Sequence, residues 1–237
     1  MKGMALVLSG MLFSLSAQAS VVMTGSRIVY PVDSREVSVQ LTNRDAFPGI
    51  VQVWLDDGDA QSTPQTARAP FVTTPPVFRL AANAGQTVRL RYVGKEVPKD
   101  RESLWWFNFI QIPPVEKGAQ ADNQLLVLVR SRVKVFLRPQ GLTGSPLKMA
   151  ETSRVWLQNG KLKLRNNSGY YLALSSLEVQ GAGKKQRIQS ETVAPWSTVS
   201  WPSQVTQITQ AQMRWINDQG ATLNQRVAVE NQEDVSH

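Results

Sequence analysis

From Val37 onward the chain is written in period two, with turn residues between the apolar runs and no stretch of sustained helical period. Val37, Val39 and Leu41 alternate with polar neighbours, and Asp45 to Gly49 turns the chain. Val51, Val53 and Leu55 follow and end at Asp57-Gly58; Val88, Leu90 and Tyr92 alternate with Arg89 and Arg91. Leu104 to Ile112 is aromatic-rich and closed by Pro113-Pro114, and Leu125 to Leu137 is the longest strand candidate, stopped by Pro139. Alternating strands present one apolar face each and need a second layer to cover it, so this part predicts an antiparallel β-sandwich. After Arg138-Pro139-Gln140-Gly141 the pattern restarts. Asn159-Gly160, between Trp156-Leu157-Gln158 and Lys161 to Leu164, is the strongest short hairpin signal in the chain and predicts a type I′ turn. Further strands are expected at Leu172 to Val179, Arg187 to Thr192, Thr198 to Trp201, Met213 to Ile216 and Gln225 to Val229. The expected fold is all-β: two sandwich domains, residues 20–139 and 140–237, joined stiffly at Arg138-Pro139 and so held at a fixed angle.

The first 19 residues read as a secretory signal: Lys2, an apolar run from Met4 to Leu15, and Ala17-Gln18-Ala19 as cleavage site. The run is shorter than the roughly 20 apolar residues that span a bilayer, so export without membrane insertion is expected. The chain has no cysteine, which excludes thiolate metal sites, thiol nucleophiles and redox chemistry. Its one histidine is His237, at the very end, so histidine-based catalysis and metal binding have no residues to work with. Gly181-Ala182-Gly183-Lys184-Lys185 lacks phosphate-loop spacing and is expected to be a hairpin turn; Asp56, Asp57 and Asp59 beside Gly58 look like a turn rather than a carboxylate pair. No cofactor is expected. The net charge of +8 favours acidic partners, but no basic run is suited to nucleic acid.

One strand departs from the sandwich pattern. Leu125-Leu126-Val127-Leu128-Val129 is apolar at every position, whereas a sandwich strand buries only alternate residues. Either a second layer covers both faces, or one face awaits a partner. Polar residues flank it, Asp122-Asn123-Gln124 before and Arg130, Arg132 and Lys134 after, as gatekeepers flank a strand that must stay apolar. Such a strand can be added to another protein's sheet, with main-chain hydrogen bonds for affinity and alternate side chains for specificity.

The chain resembles the periplasmic pilus chaperones of chaperone–usher systems, the PapD-like family. Five segments carry the resemblance, in order: Gly25-Ser26-Arg27-Ile28-Val29-Tyr30-Pro31; Thr74 to Leu80 with Gly85 to Leu90; Asp100 to Asn108 ending in Ile112-Pro113-Pro114; Arg132 to Pro139; and Ile216-Asn217-Asp218. The resemblance implies two immunoglobulin-like domains in a boomerang with a cleft between them, and a non-enzymatic, cofactor-free, periplasmic binder of pilus (fimbrial) subunits that delivers them to an outer-membrane usher. Arg27 and Lys134 would anchor a subunit's C-terminal carboxylate. Leu125, Val127 and Val129 would be the donated side chains, with Leu126 and Leu128 facing inward. Glu102, Arg138 and Asp218 would form an ionic cluster that fixes the domain angle. The short Val115 to Asn123 loop and the lack of cysteine resemble the branch serving rod-like, adhesin-tipped pili. Lys134 has the opposite parity to the donated set, so a bulge or a strong twist is expected between Val129 and Lys134. Self-association would be one way for the subunit-free chain to hide its strand. A fibre subunit is the competing reading, but such a chain would itself need a completing strand, and this one has two sandwiches.

Overall fold

A computed structural model describes residues 21–114 and 128–230. Nine strands build the first domain among these residues: β1 (Val21–Met23), β2 (Arg27–Pro31), β3 (Val37–Asn43), β4 (Gly49–Asp56), β5 (Phe71–Thr74), β6 (Val77–Leu80), β7 (Gly85–Tyr92), β8 (Ser103–Ile112) and β9 (Arg130–Arg138). They form two sheets, one in the order β1-β3-β7-β5 and the other β2-β9-β8-β4-β6. The period-two residues meet between them: Val39, Leu41, Val88 and Leu90 from one sheet pack with Val51, Val53, Phe107, Phe109, Val135 and Leu137 from the other. Tyr30 is fully buried in this core, and its hydroxyl is tied off by Ser34 O and the Tyr92 N–H.

The second domain follows the same logic. Its strands are β10 (Arg154–Gln158), β11 (Lys161–Arg165), β12 (Leu172–Gly181), β13 (Lys184–Val193), β14 (Thr198–Pro202), β15 (Gln210–Ile216), β16 (Thr222–Arg226) and β17 (Ala228–Val229), preceded by a single helical turn, α1 (Met149–Thr152). They pair as β14-β11-β10-β17 and β13-β12-β15-β16. Leu162, Leu164, Leu172, Leu177, Met213 and Trp215 are among the residues closing its core. Asn159 and Gly160 both have positive φ, +51° and +70°, as a type I′ turn requires.

Two expectations about the apolar strand need correction. Among the described residues the strand starts at Arg130, and Leu128 and Val129 ahead of it are not part of it: its ladder with β8 ends at the Ile110–Arg130 pair, and β8 itself stops before Pro113-Pro114. Leu128 was expected to face inward, yet it is 44% exposed and lies ahead of the strand, as does Val129 at 70%. Leu125, Leu126 and Val127 lie outside the described residues. No bulge interrupts β9 either; the register runs unbroken from Ile110–Arg130 to Ser103–Leu137.

Candidate binding site at an open strand edge

The site is created by a strand that changes sheets. β1 pairs with β3 in one sheet, the chain turns through Gly25 at φ +91°, and β2 then joins β9 in the other sheet. Only a residue without a Cβ takes that φ at little cost. Because β2 enters late, it pairs in parallel with β9 only from Lys134 to Arg138. From Arg130 to Val133, β9 is bonded to β8 on one side and, among the described residues, to no strand on the other. Those main-chain groups form an open edge four residues long, directly ahead of β2.

Arg27 opens β2 and pairs with Lys134, so the two cations stand side by side at the point where the open edge ends. Neither makes an ion pair among the described residues. Arg27 Nη1 donates to the Ile216 carbonyl at 3.0 Å, and Lys134 Nζ donates to Thr192 Oγ1 at 2.5 Å. Both acceptors belong to the second domain, so the pair lines the junction between domains. Burial lowers the Lys134 pKa, and neighbouring Arg27 lowers it further against a weaker pull from Glu191. Burial likewise lowers that of Arg27, opposed by Asp218. A carboxylate placed between two partly desolvated like charges relieves the strain on both at once.

The junction is held by a second charge group. Arg138 Nε reaches Glu102 Oε1 at 2.7 Å, while its two Nη atoms fork onto Asp218 at 2.8 and 3.0 Å. The other Glu102 oxygen accepts the Tyr171 N–H at 2.7 Å, and the Glu102 N–H donates to the Gly169 carbonyl. Arg138 lies over the Tyr170 ring, and Phe136 stacks on Tyr171. Glu102, Arg138 and Asp218, far apart in sequence, are thus brought together across the domain boundary. Burial raises the Glu102 pKa, with Arg138 opposing, and that of Arg138 is raised because Asp218 and Glu102 outweigh its own burial.

The sequence reading missed three contributors. Asp56 accepts the Gly58 N–H as a turn acid does, and it is also a buried ligand of Arg132. Trp106, the β8 neighbour of Lys134, lies beneath both Arg132 and Lys134, with charge-to-ring distances of 4.4 and 5.7 Å. The even spacing of Arg130, Arg132 and Lys134 does signal that they share one strand face, and tryptophans on adjacent strands are natural supports for it. Thr192 had no such signal, since its contact with Lys134 is set by how the domains dock.

Residues 20–143 match the N-terminal domain of PapD, a pili and flagellar-assembly chaperone, and residues 149–226 match the C-terminal domain of the pili assembly chaperone PapD. The probable fimbrial chaperone YadV of Escherichia coli K12 is 38% identical over 195 residues, 79% of each chain. The chaperone protein MrkB of Klebsiella pneumoniae is 35% identical over 224 residues, 92% of this chain and 95% of its own. Among solved structures, the YadV chaperone superposes with a TM-score of 0.73 at 32% identity, over 88% of this chain and all (100%) of its own. The Salmonella enterica SafB chaperone, solved in complex with the SafA pilin, gives 0.71 at 27% identity, over 88% of this chain and 96% of that one. Two consecutive domain matches and relatives of this similarity establish that the chain belongs to the PapD family of pilus-assembly chaperones, binding proteins rather than enzymes.

Proposed function

We propose that this chain captures incomplete pilus subunits in the periplasm by combining a carboxylate anchor with strand addition, and passes them to an outer-membrane usher. The observation that carries this reading is the pair of neighbouring, partly buried cations, Arg27 and Lys134, which make no ion pair among the described residues and stand at the end of an open strand edge. A subunit chain whose last carboxylate sits on that pair must approach along Arg130 to Val133, travelling in the same direction as β9. The added strand is therefore parallel, abutting β2 end to end. Beyond the edge, Val129 together with Leu125 and Val127 would enter the subunit's open core; Val129 is the only one of the three within the described residues, and its 70% exposure leaves it free to do so. Burying one such side chain contributes about 1.5–3 kcal/mol before association costs. The Glu102–Arg138–Asp218 cluster supports the reading by holding the second domain, and with it Thr192 and Ile216, against the anchor.

The test is co-purification of a subunit from periplasmic extract. Arg27→Ala and Lys134→Ala are each expected to abolish it, and Val127→Glu to abolish it through the donated strand. Retained capture by both anchor variants would overturn the anchor; retained capture by Val127→Glu would overturn the donor register. Sedimentation of the subunit-free chain over a range of concentrations tests self-association, which is expected to be lost in Val127→Glu.

A further inference from the structure

The outer face of the open edge is fastened to a loop that the anchor does not use. Asp56, the last residue of β4, is buried and receives four hydrogen bonds: Gly58 N–H at 2.8 Å, Ser62 Oγ at 2.8 Å, Asn108 Nδ2 at 2.7 Å and Arg132 Nη2 at 2.5 Å. Ser62 Oγ also accepts the Trp54 indole N–H at 3.2 Å. One strand pair away, Arg130 donates to the Ser62 carbonyl at 2.8 Å and to the Ala60 carbonyl, and its guanidinium lies over the Trp54 ring. Two of the four residues of the open edge are thus tied down, Arg132 by the carboxylate that ends β4 and Arg130 by two carbonyls of the loop after it.

A buried ion pair is weak evidence for stability, because desolvation offsets the Coulomb gain. This one leaves Arg132 Nε and Asn108 Oδ1 buried without a partner among the described residues, which lowers its return further. What it does supply is position. An edge segment bonded on one side only, next to the end of its own ladder, is where a sheet opens first. We infer that Asp56 is a positioning residue for subunit capture: through Arg132, and with the loop carbonyls on Arg130, it holds Arg130 to Val133 extended so that the edge is ready for a partner strand. The inference rests on the strand-addition reading above. Preorganisation of this kind reduces what a partner must order on binding and acts mainly through the competent fraction of the free chain.

The experiment is hydrogen exchange on the full, subunit-free chain, comparing wild type with Asp56→Asn and, should that variant fold poorly, Arg132→Met. The amides of Arg130 to Val133 that bond to β8 are expected to lose at least tenfold protection, while those of Val135 to Leu137, flanked by strands on both sides, change less than twofold. A peptide matching a subunit's C-terminal strand is expected to bind these variants about tenfold more weakly. Unchanged protection at the edge overturns the inference, as does an equal loss along the whole strand, which would make the cluster a general stabiliser. Lys134→Ala separates the two levels: if it still binds the peptide the anchor reading fails, whatever the exchange at the edge.

Discussion

Replacing Arg138 by Met removes the cation shared by Glu102 and Asp218 while keeping a long side chain over Tyr170. The two acids then differ sharply in their fate. The Asp218 side chain is 27% exposed and can be solvated, whereas that of Glu102 is 1% exposed and keeps only the Tyr171 N–H. Breaking one partner of a buried pair costs about 3–5 kcal/mol, and the lost cation–π contact adds roughly 0.5–1 kcal/mol. The surviving hydrogen bond and the freedom of Glu102 to take a proton reduce this, so about 3 kcal/mol is expected at pH 7. A carboxyl whose folded pKa lies above its unfolded value of about 4.3 carries protons in the folded state that the unfolded state has released, so stability falls as pH rises through that interval. Burial already raises Glu102, and Arg138 is its main opposition, so removing Arg138 widens the interval. The penalty should be full at pH 7 and partly relieved at pH 5. Urea unfolding of the whole chain at both pH values measures it, and the loss should appear as earlier separation of the two domains. A penalty below about 1 kcal/mol, or one equal at both pH values, would refute the view that this cation holds a buried acid at the junction.

Other expectations follow from the same geometry. Lys134→Met should leave the free chain as stable as wild type, within about 0.5 kcal/mol in urea, because relief from Arg27 offsets the lost Thr192 bond. The same variant should bind a subunit's C-terminal peptide about 10- to 150-fold more weakly by calorimetry, the equivalent of a charge-assisted hydrogen bond of about 1.5–3 kcal/mol. Burial works against the Asp56 carboxylate, yet the Gly58, Asn108, Ser62 and Arg132 donors prevail and lower its pKa. Its contribution is thus present above the unfolded value of about 3.9 and lost as pH falls through the lower folded one. Acid unfolding followed by circular dichroism should accordingly show a shallower loss below about pH 4 in Asp56→Asn. Gly25→Val forces a β-branched residue to φ +91° at the sheet switch and should cost about 1–3 kcal/mol in thermal unfolding.

Much of this was legible in the sequence because it depends on local rules. Period-two alternation identified β3, β4 and β7, and Asn159-Gly160 specified its turn, since both follow from backbone sterics alone. The anchor cations and the ionic cluster came from motifs, and the structure brings each set together. β1, β5 and β6 were missed because three or four residues carry too little periodicity to stand out. The break at Leu128 and Val129, ahead of β9, was not legible because an apolar run reports the wish to be buried, not the partner that buries it; the β8 ladder ends at Arg130. Asp56 does cap the turn at Gly58, as a short acid there signals, but its bond to Arg132 was not legible because it comes from a strand 76 residues away.

The central claim is that a subunit's chain ends on Arg27 and Lys134 with a free carboxylate. Calorimetry with a peptide matching the C-terminal strand of a subunit, prepared as the free acid and as the C-terminal amide, tests it most directly when run on wild type and on Lys134→Ala. The account predicts that amidation weakens binding to wild type at least tenfold and makes less than a twofold difference to the variant, the non-additivity expected of two groups in contact. Equal binding of the acid and the amide by the wild-type chain would contradict it.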